Sequence, residues 1–240
     1  MDFVDTHFHN WALDKFPYPW PTADMSIYKD YYPCGLENAV ADTPVQHAIF
    51  VQCLNCSAEE AEWVMDMATR HPIIKGVVAG LDLTSTALAE TINRLKPTGF
   101  LKGARHILDM EADDWITRDD VSRGLEILAN HNLTFDLLVR PRHLQFIPQV
   151  VSKHPRSGLI SEQRTDTWRT IDYKPFIEHV LSVFGSERCV FGSDWPVFEL
   201  VGATYRESLD HIRALLAHLP AGDQAKIFRD NAVMFYNLNI

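Results

Sequence analysis

The chain has 240 residues, 46% of them hydrophobic and 22% charged, with a formal net charge of −10. That composition is ordinary for a soluble globular protein, and the length suffices for one large α/β domain or two small ones. The acidity argues against a nucleic-acid partner or an anionic membrane surface. No uninterrupted apolar run approaches the ~20 residues of a bilayer span, and the first residues lack the basic-then-apolar pattern of a secretory leader. Cys34, Cys53, Cys56 and Cys189 are scattered. The lone CLNC pair at 53–56 reads as a strand end with reduced thiols rather than a zinc or redox motif. A cytoplasmic location is expected.

In chain order, the opening apolar residues predict a first strand running into Asp5-Thr6-His7-Phe8-His9. Residues 10–35, rich in aromatics and proline, read as a flap packed over one end. His47–Cys53 predicts a second strand. Ser57, with Glu60 three residues on, is a capping-box start for a helix through Arg70. Ile73–Gly80 is a third strand, followed by a helical stretch over about Ser85–Leu95. Gly99–Leu108 is a fourth, then comes a helix capped by Thr117 or Asp119 and reaching about Asn130. Leu133–Val139 is a fifth strand, before a helix around Leu144–Lys153. Cys189–Asp194 is a strand near the end, and two helices follow, about Tyr205–His218 and Asp223–Tyr236. Strands interleaved with helices mean βαβ units and a parallel sheet.

In a strand, residues i and i+2 share a face, so His7 and His9 can aim at one point. Neutral imidazoles are common zinc ligands, although two histidines so spaced can equally be packing or surface groups. In parallel barrels catalytic groups emerge at the C-terminal strand ends. There the sequence puts His7 and His9, Arg105 and His106, Arg140, and Asp194. Structural alternatives exist: Arg140 and Arg142 can serve loop ion pairs, and Asp194 can act as an acceptor for a turn.

The motifs DTHFHNW (5–11), YPW (18–20), KGARHIL (102–108), DLLVRPRHL (136–144), FGSDWPV (191–197) and DNAVMFYNL (230–238) together resemble the amidohydrolase superfamily, specifically its amidohydrolase-2 branch. Within it the chain is most similar to sugar-lactonase relatives (L-fuconolactonase, L-rhamnonolactonase) and 2-pyrone-4,6-dicarboxylate hydrolases. The resemblance implies a distorted (β/α)8 TIM-type barrel that hydrolyses a small sugar-acid or related carboxylated lactone. It implies His7, His9 and Asp194 as ligands of a divalent metal, zinc above all, or, in members that work without metal, His7 and His9 as substrate-facing imidazoles. Asp194 would take the proton of the attacking water. Arg105, His106, Arg140 and Trp195 would contact the substrate. A small molecule is the implied partner, and self-association is compatible with the reading. Decarboxylation, which also occurs in the wider branch, fits the KGARH and RPRHL segments less well.

One departure stands out. In relatives, HP near the end of the fifth helix leads to a sixth strand ending in histidine, and then to a seventh strand. Here HPR at 154–156 runs directly into SGLIS, and residues 155–172 are too few for two βα units, since one occupies about half of a ~30-residue βαβ motif. The expected fold is therefore a single barrel domain over 1–240 lacking the sixth strand and part of the seventh, with an apparent deletion near 156–157. His106 and His143 are the candidates to take the place of the missing histidine. A shortened, non-catalytic scaffold that binds ligand or partner is the alternative to an active hydrolase.

Overall fold

The computed structural model describes residues 1–55, 57–160 and 173–240. Cys56 of the CLNC pair and residues 161–172, with the final serine of SGLIS, lie outside the described residues.

The elements run β1 (Phe3–Phe8), α1 (Pro33–Val40), β2 (Val45–Val51), α2 (Ala58–Ala68), β3 (Ile74–Gly80), α3 (Leu88–Leu95), β4 (Leu101–Ile107), α4 (Asp119–Asn130), β5 (Thr134–Leu138), α5 (Ile147–Lys153), β6 (Ser157–Ile160), α6 (Lys174–Phe184), α7 (Tyr205–Leu216), α8 (Ala221–Ala225) and α9 (Asn231–Phe235). This is the β/α alternation that the sequence predicts, carried through six strands among the described residues. Ser57 caps α2 as expected, its hydroxyl accepting from the Glu60 N–H. Neither Thr117 nor Asp119 caps α4, which starts after Arg118 with both Asp119 and Asp120 inside its first turn, where carboxylates favour the positive end of the helix. The single helix expected over Asp223–Tyr236 is α8 and α9 joined by a π-helical turn, Lys226–Asp230. Among the described residues no helix is long and apolar enough to cross a membrane.

Contacts divide the chain into two compact units. The first contains residues 1–50, 70–75 and the described part of the C-terminal segment. In it β1 pairs parallel with β2, with Phe3 opposite Val45 and Phe8 opposite Phe50. Every residue of β1 is buried, as a strand covered on both faces requires. The sequence-predicted last strand, Cys189–Asp194, is not a regular strand, yet it runs beside β1. The Thr6 N–H donates to the Phe191 carbonyl at 3.0 Å, the Asp194 N–H donates to the His7 carbonyl at 2.8 Å, and Phe8 bridges Trp195. Phe228 of the π turn stacks on Phe3 at 4.4 Å and leans on Phe191 at 5.5 Å, closing the base of this pair. Within the 10–35 segment, Trp11 contacts Trp20 and Tyr31, and Tyr31 in turn contacts Trp195 at 5.3 Å. This segment is thus packed by its own aromatic rings against the residue that follows Asp194.

The second unit holds residues 51–69 and, among those described, 76–160. Here β3, β4, β5 and β6 pair parallel in chain order. Gly103 and Gly124 permit close approaches. A Cβ on Gly124 would lie 2.2 Å from the Leu83 carbonyl oxygen, so α4 seats its backbone directly on the chain after β3.

Candidate metal and active site

β1 delivers His7 at its C-terminal end and His9 just beyond it. The two rings stand nearly perpendicular with centroids 4.8 Å apart, and their Nε2 atoms are 3.1 Å apart. Asp194 Oδ1 lies 3.2 Å from His9 Nε2 and 3.6 Å from His7 Nε2. Three donor atoms from residues 7, 9 and 194 therefore form a nearly equilateral triangle. Both imidazoles are buried, whereas the Asp194 side chain keeps 26% of its surface exposed, which leaves one side of the triangle open to solvent.

These dimensions suit a tetrahedral ion. Bonds of about 2.0–2.1 Å at tetrahedral angles put ligand atoms about 3.3 Å apart, inside the 3.1–3.6 Å range observed here. Two imidazoles and one carboxylate with a fourth position left open are also the donor set of a catalytic rather than a structural zinc. Among the described residues His7, His9 and Asp194 form a group able to hold a metal ion.

A second set of contacts, not read from the sequence, builds the triangle's base. Asp5, fully buried, accepts four hydrogen bonds. Its Oδ1 receives the His7 N–H at 3.1 Å and the Ser193 N–H at 2.9 Å, and its Oδ2 receives the Ser193 hydroxyl at 2.6 Å and the Tyr205 hydroxyl at 2.8 Å. Burial pushes the Asp5 carboxyl above the usual range, more than these four bonds pull it down. Burial and the neighbouring Asp5 likewise push the Tyr205 phenol well up. The signal was in plain view at one end only: Asp5 opens the DTHFH motif, but its partners Ser193 and Tyr205 lie some two hundred residues away.

Asp194 itself sits at φ +59°, a left-handed conformation that aspartate and asparagine tolerate better than other side-chain-bearing residues. Its amide is held by the His7 carbonyl, its carbonyl accepts the Val197 N–H at 2.7 Å, and the next amide, Trp195 N–H, donates to Ser193 Oγ at 2.9 Å. Gly192 lies so close to β1 that a Cβ there would be 2.7 Å from His7 Cβ.

The other sequence-predicted residues divide as follows. Trp195 is in the first unit, buried, with its ring against Gly35 and Tyr31. Arg105, His106 and Arg140 are in the second unit. Arg105 is buried on β4 and donates through Nη2 to the Gln52 carbonyl and, at 3.3 Å, to Gln52 Oε1. It lies in register with the buried Asp136 of β5. His106 stacks on Trp115 at 4.2 Å and its Nε2 meets Glu111 Oε1 at 2.9 Å. Arg140 donates to Asp109 Oδ2 at 2.7 Å, and its side chain is 38% exposed. His143 is buried and accepts the Arg140 N–H on Nδ1 at 3.0 Å.

The Amidohydrolase family model matches residues 4–162 and 156–238. The chain belongs to the amidohydrolase family. Its relatives include the L-fucono-1,5-lactonase of Burkholderia ambifaria, 27% identical over 278 residues, covering 98% of this chain and 96% of that protein. The L-fucono-1,5-lactonase of Burkholderia multivorans is 26% identical over 286 residues, with the same coverage. Among solved structures, an amidohydrolase from Burkholderia multivorans with bound Zn superimposes with a TM-score of 0.87 at 24% identity, covering 100% of both chains. A probable 2-pyrone-4,6-dicarboxylic acid hydrolase from Acinetobacter baumannii gives 0.78 at 14% identity, covering 99% of this chain. At such identities the likeness carries the fold, which is an α/β fold of shortened TIM-barrel type.

Proposed function

We propose that this amidohydrolase opens a small sugar-acid lactone by water attack, with His7, His9 and Asp194 holding a zinc-type divalent ion and Asp194 serving as general base. The observation that carries the reading is the convergence of the three donor atoms within 3.1–3.6 Å beside an open face. The relatives named as L-fucono-1,5-lactonases support the substrate class, and the zinc-bound homologue supports the ion.

A bound divalent ion supplies Lewis acidity and makes water nucleophilic near neutral pH. The chain's own residues do the rest. Asp194, partly exposed at the edge of the triangle, accepts a proton from water as its oxygen bonds to the lactone carbonyl carbon. The ring C–O bond then breaks, and the same proton passes to the departing ring oxygen, leaving an open hydroxy acid. His7 and His9, buried and fixed by β1, hold their positions throughout. Arg140, whose side chain reaches solvent, is the residue best suited to meet a carboxylate or hydroxyl of an arriving substrate, because a guanidinium presents paired donors. Arg105, His106 and Trp195 complete the proposed substrate contacts.

A second reading is a catalytically impaired scaffold. What favours it is the overlap of the two family-model segments at 156–162 and an alignment to the Burkholderia ambifaria lactonase longer than this chain, 278 against 240 residues. Both support the loss of intervening chain. Initial rates on a panel of sugar-acid 1,5-lactones, with metal-stripped and zinc-reconstituted protein, separate the two. Zinc-dependent turnover of at least one lactone is expected. Folded, zinc-loaded protein inert on the whole panel would favour the scaffold.

A further inference from the structure

We infer that Asp5 and Ser193 are positioning residues that aim Asp194 at the two histidines, and that the buried Asp5 carboxylate is the common anchor of both halves of the site. This deepens the proposed function and rests on the role given there to Asp194.

The argument begins with the backbone. Asp194 departs from extended geometry, at φ +59°, and a residue in a sparsely populated region stays there only when its surroundings over-determine it. The surroundings here are few and identifiable. Both oxygens of Asp5 reach the residue just before Asp194: Oδ1 takes the Ser193 N–H and Oδ2 takes its hydroxyl, at 2.9 and 2.6 Å. Ser193 Oγ passes the restraint onward by accepting the Trp195 N–H at 2.9 Å, so the residues on both sides of Asp194 are tied to one carboxylate. The same Oδ1 also accepts the N–H of His7 at 3.1 Å. A metal ligand in the first strand and the turn that presents the third ligand thus share a single oxygen atom. The bond from the Tyr205 hydroxyl fixes the carboxylate from α7.

The chemistry makes the scheme separable from simple packing. Both donors on Oδ1 are backbone N–H groups, which cannot reverse, whereas both on Oδ2 are hydroxyls, which can accept as readily as donate. An asparagine at position 5 can keep its oxygen toward the two amides and give its NH2 to the two hydroxyls. Geometry rather than charge is what Asp5 contributes, and Asp5→Asn should preserve it.

The test compares Ser193→Ala, Asp5→Ala and Asp5→Asn with Thr6→Val. Thr6→Val removes a buried hydroxyl bond between the same two segments, Thr6 Oγ1 to the Phe191 carbonyl at 2.8 Å, without touching the 193–195 turn. The readouts are zinc affinity by calorimetry, kcat and KM on the best lactone, thermal midpoint, and a crystal structure of Ser193→Ala. Zinc affinity and kcat should fall about 10- to 100-fold in Ser193→Ala and Asp5→Ala, the usual effect of losing a ligand's orienting partner. KM should hold within about twofold, and the His9–Asp194 contact should open. Asp5→Asn should recover to within about threefold of wild type, and Thr6→Val should lose stability while zinc affinity stays put. Should Ser193→Ala alter only the thermal midpoint, with Asp194 unmoved, Asp5 and Ser193 are structural and the inference fails. A wild type that binds no zinc would contradict the proposed function instead, and the crystal geometry of Ser193→Ala would then decide the positioning role alone.

Discussion

Gly192→Ala probes the closest approach in the site. A Cβ at this position would stand 2.7 Å from His7 Cβ, 3.3 Å from Thr6 Oγ1 and 3.4 Å from the His7 nitrogen. Carbon atoms rest at about 3.5–4.0 Å, so β1 and the 191–194 segment would have to part by about 1 Å. His7 Cβ is fixed to the backbone and cannot swing aside like the end of a long side chain. Overpacking of this kind costs about 1–3 kcal/mol, which for a chain of this size lowers the midpoint by roughly 2–12 °C at about 2–4 °C per kcal/mol. The consequence for function is larger than the consequence for stability, because metal sites tolerate only about 0.2 Å of error in ligand distance. Asp194 hangs two residues from Gly192 and takes its amide bond from the His7 carbonyl, so it cannot stay in place while the strands separate. Zinc affinity, read by competition with a chromophoric chelator, should therefore drop at least tenfold alongside the fall in midpoint. Gly222→Ala is the control. Nothing lies within 4 Å of its Cβ, and alanine in the helix α8 should match or slightly raise the midpoint. A Gly192→Ala protein with an unchanged midpoint and zinc affinity within twofold would refute the reasoning.

Three further outcomes follow from the same geometry. Gly124→Ala, with its Cβ 2.2 Å from the Leu83 carbonyl oxygen, should cost about 1–3 kcal/mol or more by overpacking. Its zinc stoichiometry should be unchanged, because the three proposed ligands lie in the other unit; a thermal melt and a zinc titration check both halves. His143 resists protonation. Burial and the charge of Arg142 push its pKa down, against smaller upward pulls from Asp109 and Asp113, and its Nδ1 already accepts an amide proton. Below the ordinary histidine value of about 6.5, the unfolded chain takes up a proton that the folded chain refuses. The stability His143 contributes is therefore complete above about 6.5 and is lost as pH falls below it. Midpoints measured from pH 7.5 to 5 should decline, and His143→Gln should flatten part of that slope. Zinc at 100 times its Kd should stabilise by about 2.7 kcal/mol, so excess chelator should lower the midpoint of wild type but not of a His7→Ala, His9→Ala double variant.

The parts of this molecule that rest on local pattern were legible. Runs such as HAIFV and GVVAG form strands because β-branched and aromatic residues suit a covered sheet, and Ser57 with Glu60 announced α2. The convergence of the HxH pair and the late aspartate was legible because strand periodicity and the place of strand ends in α/β folds constrain where those side chains lie. What depended on long-range pairing was not. Asp5, Ser193 and Tyr205 are three ordinary polar residues until the fold joins them. The π turn at 226–230 has no local signature, and its reason is visible only in Phe228, which it turns against Phe3 and Phe191. Helix α6 is not among the sequence-predicted elements, although Pro175 in its first turn is a usable start signal. Apolar residues recur along it at helical spacing, Phe176, Ile177, Val180, Leu181 and Phe184, yet Phe176, Val180 and Val183 are exposed. The C-terminal residues 189–194 read as a strand from their apolar run, but they make too few ladder bonds to be one.

The most direct test of the central claim is the rate of acid release from L-fucono-1,5-lactone by zinc-loaded wild type and by Asp194→Asn, at matched folded fractions and near neutral pH. Asparagine keeps the size and the left-handed backbone of residue 194 but cannot take a proton from water. Wild type should turn over, and the variant should fall by about 10²–10⁴-fold, the usual contribution of a general base. A variant that retains wild-type rate would contradict the assignment of Asp194 and, with it, the mechanism built on the three converging residues.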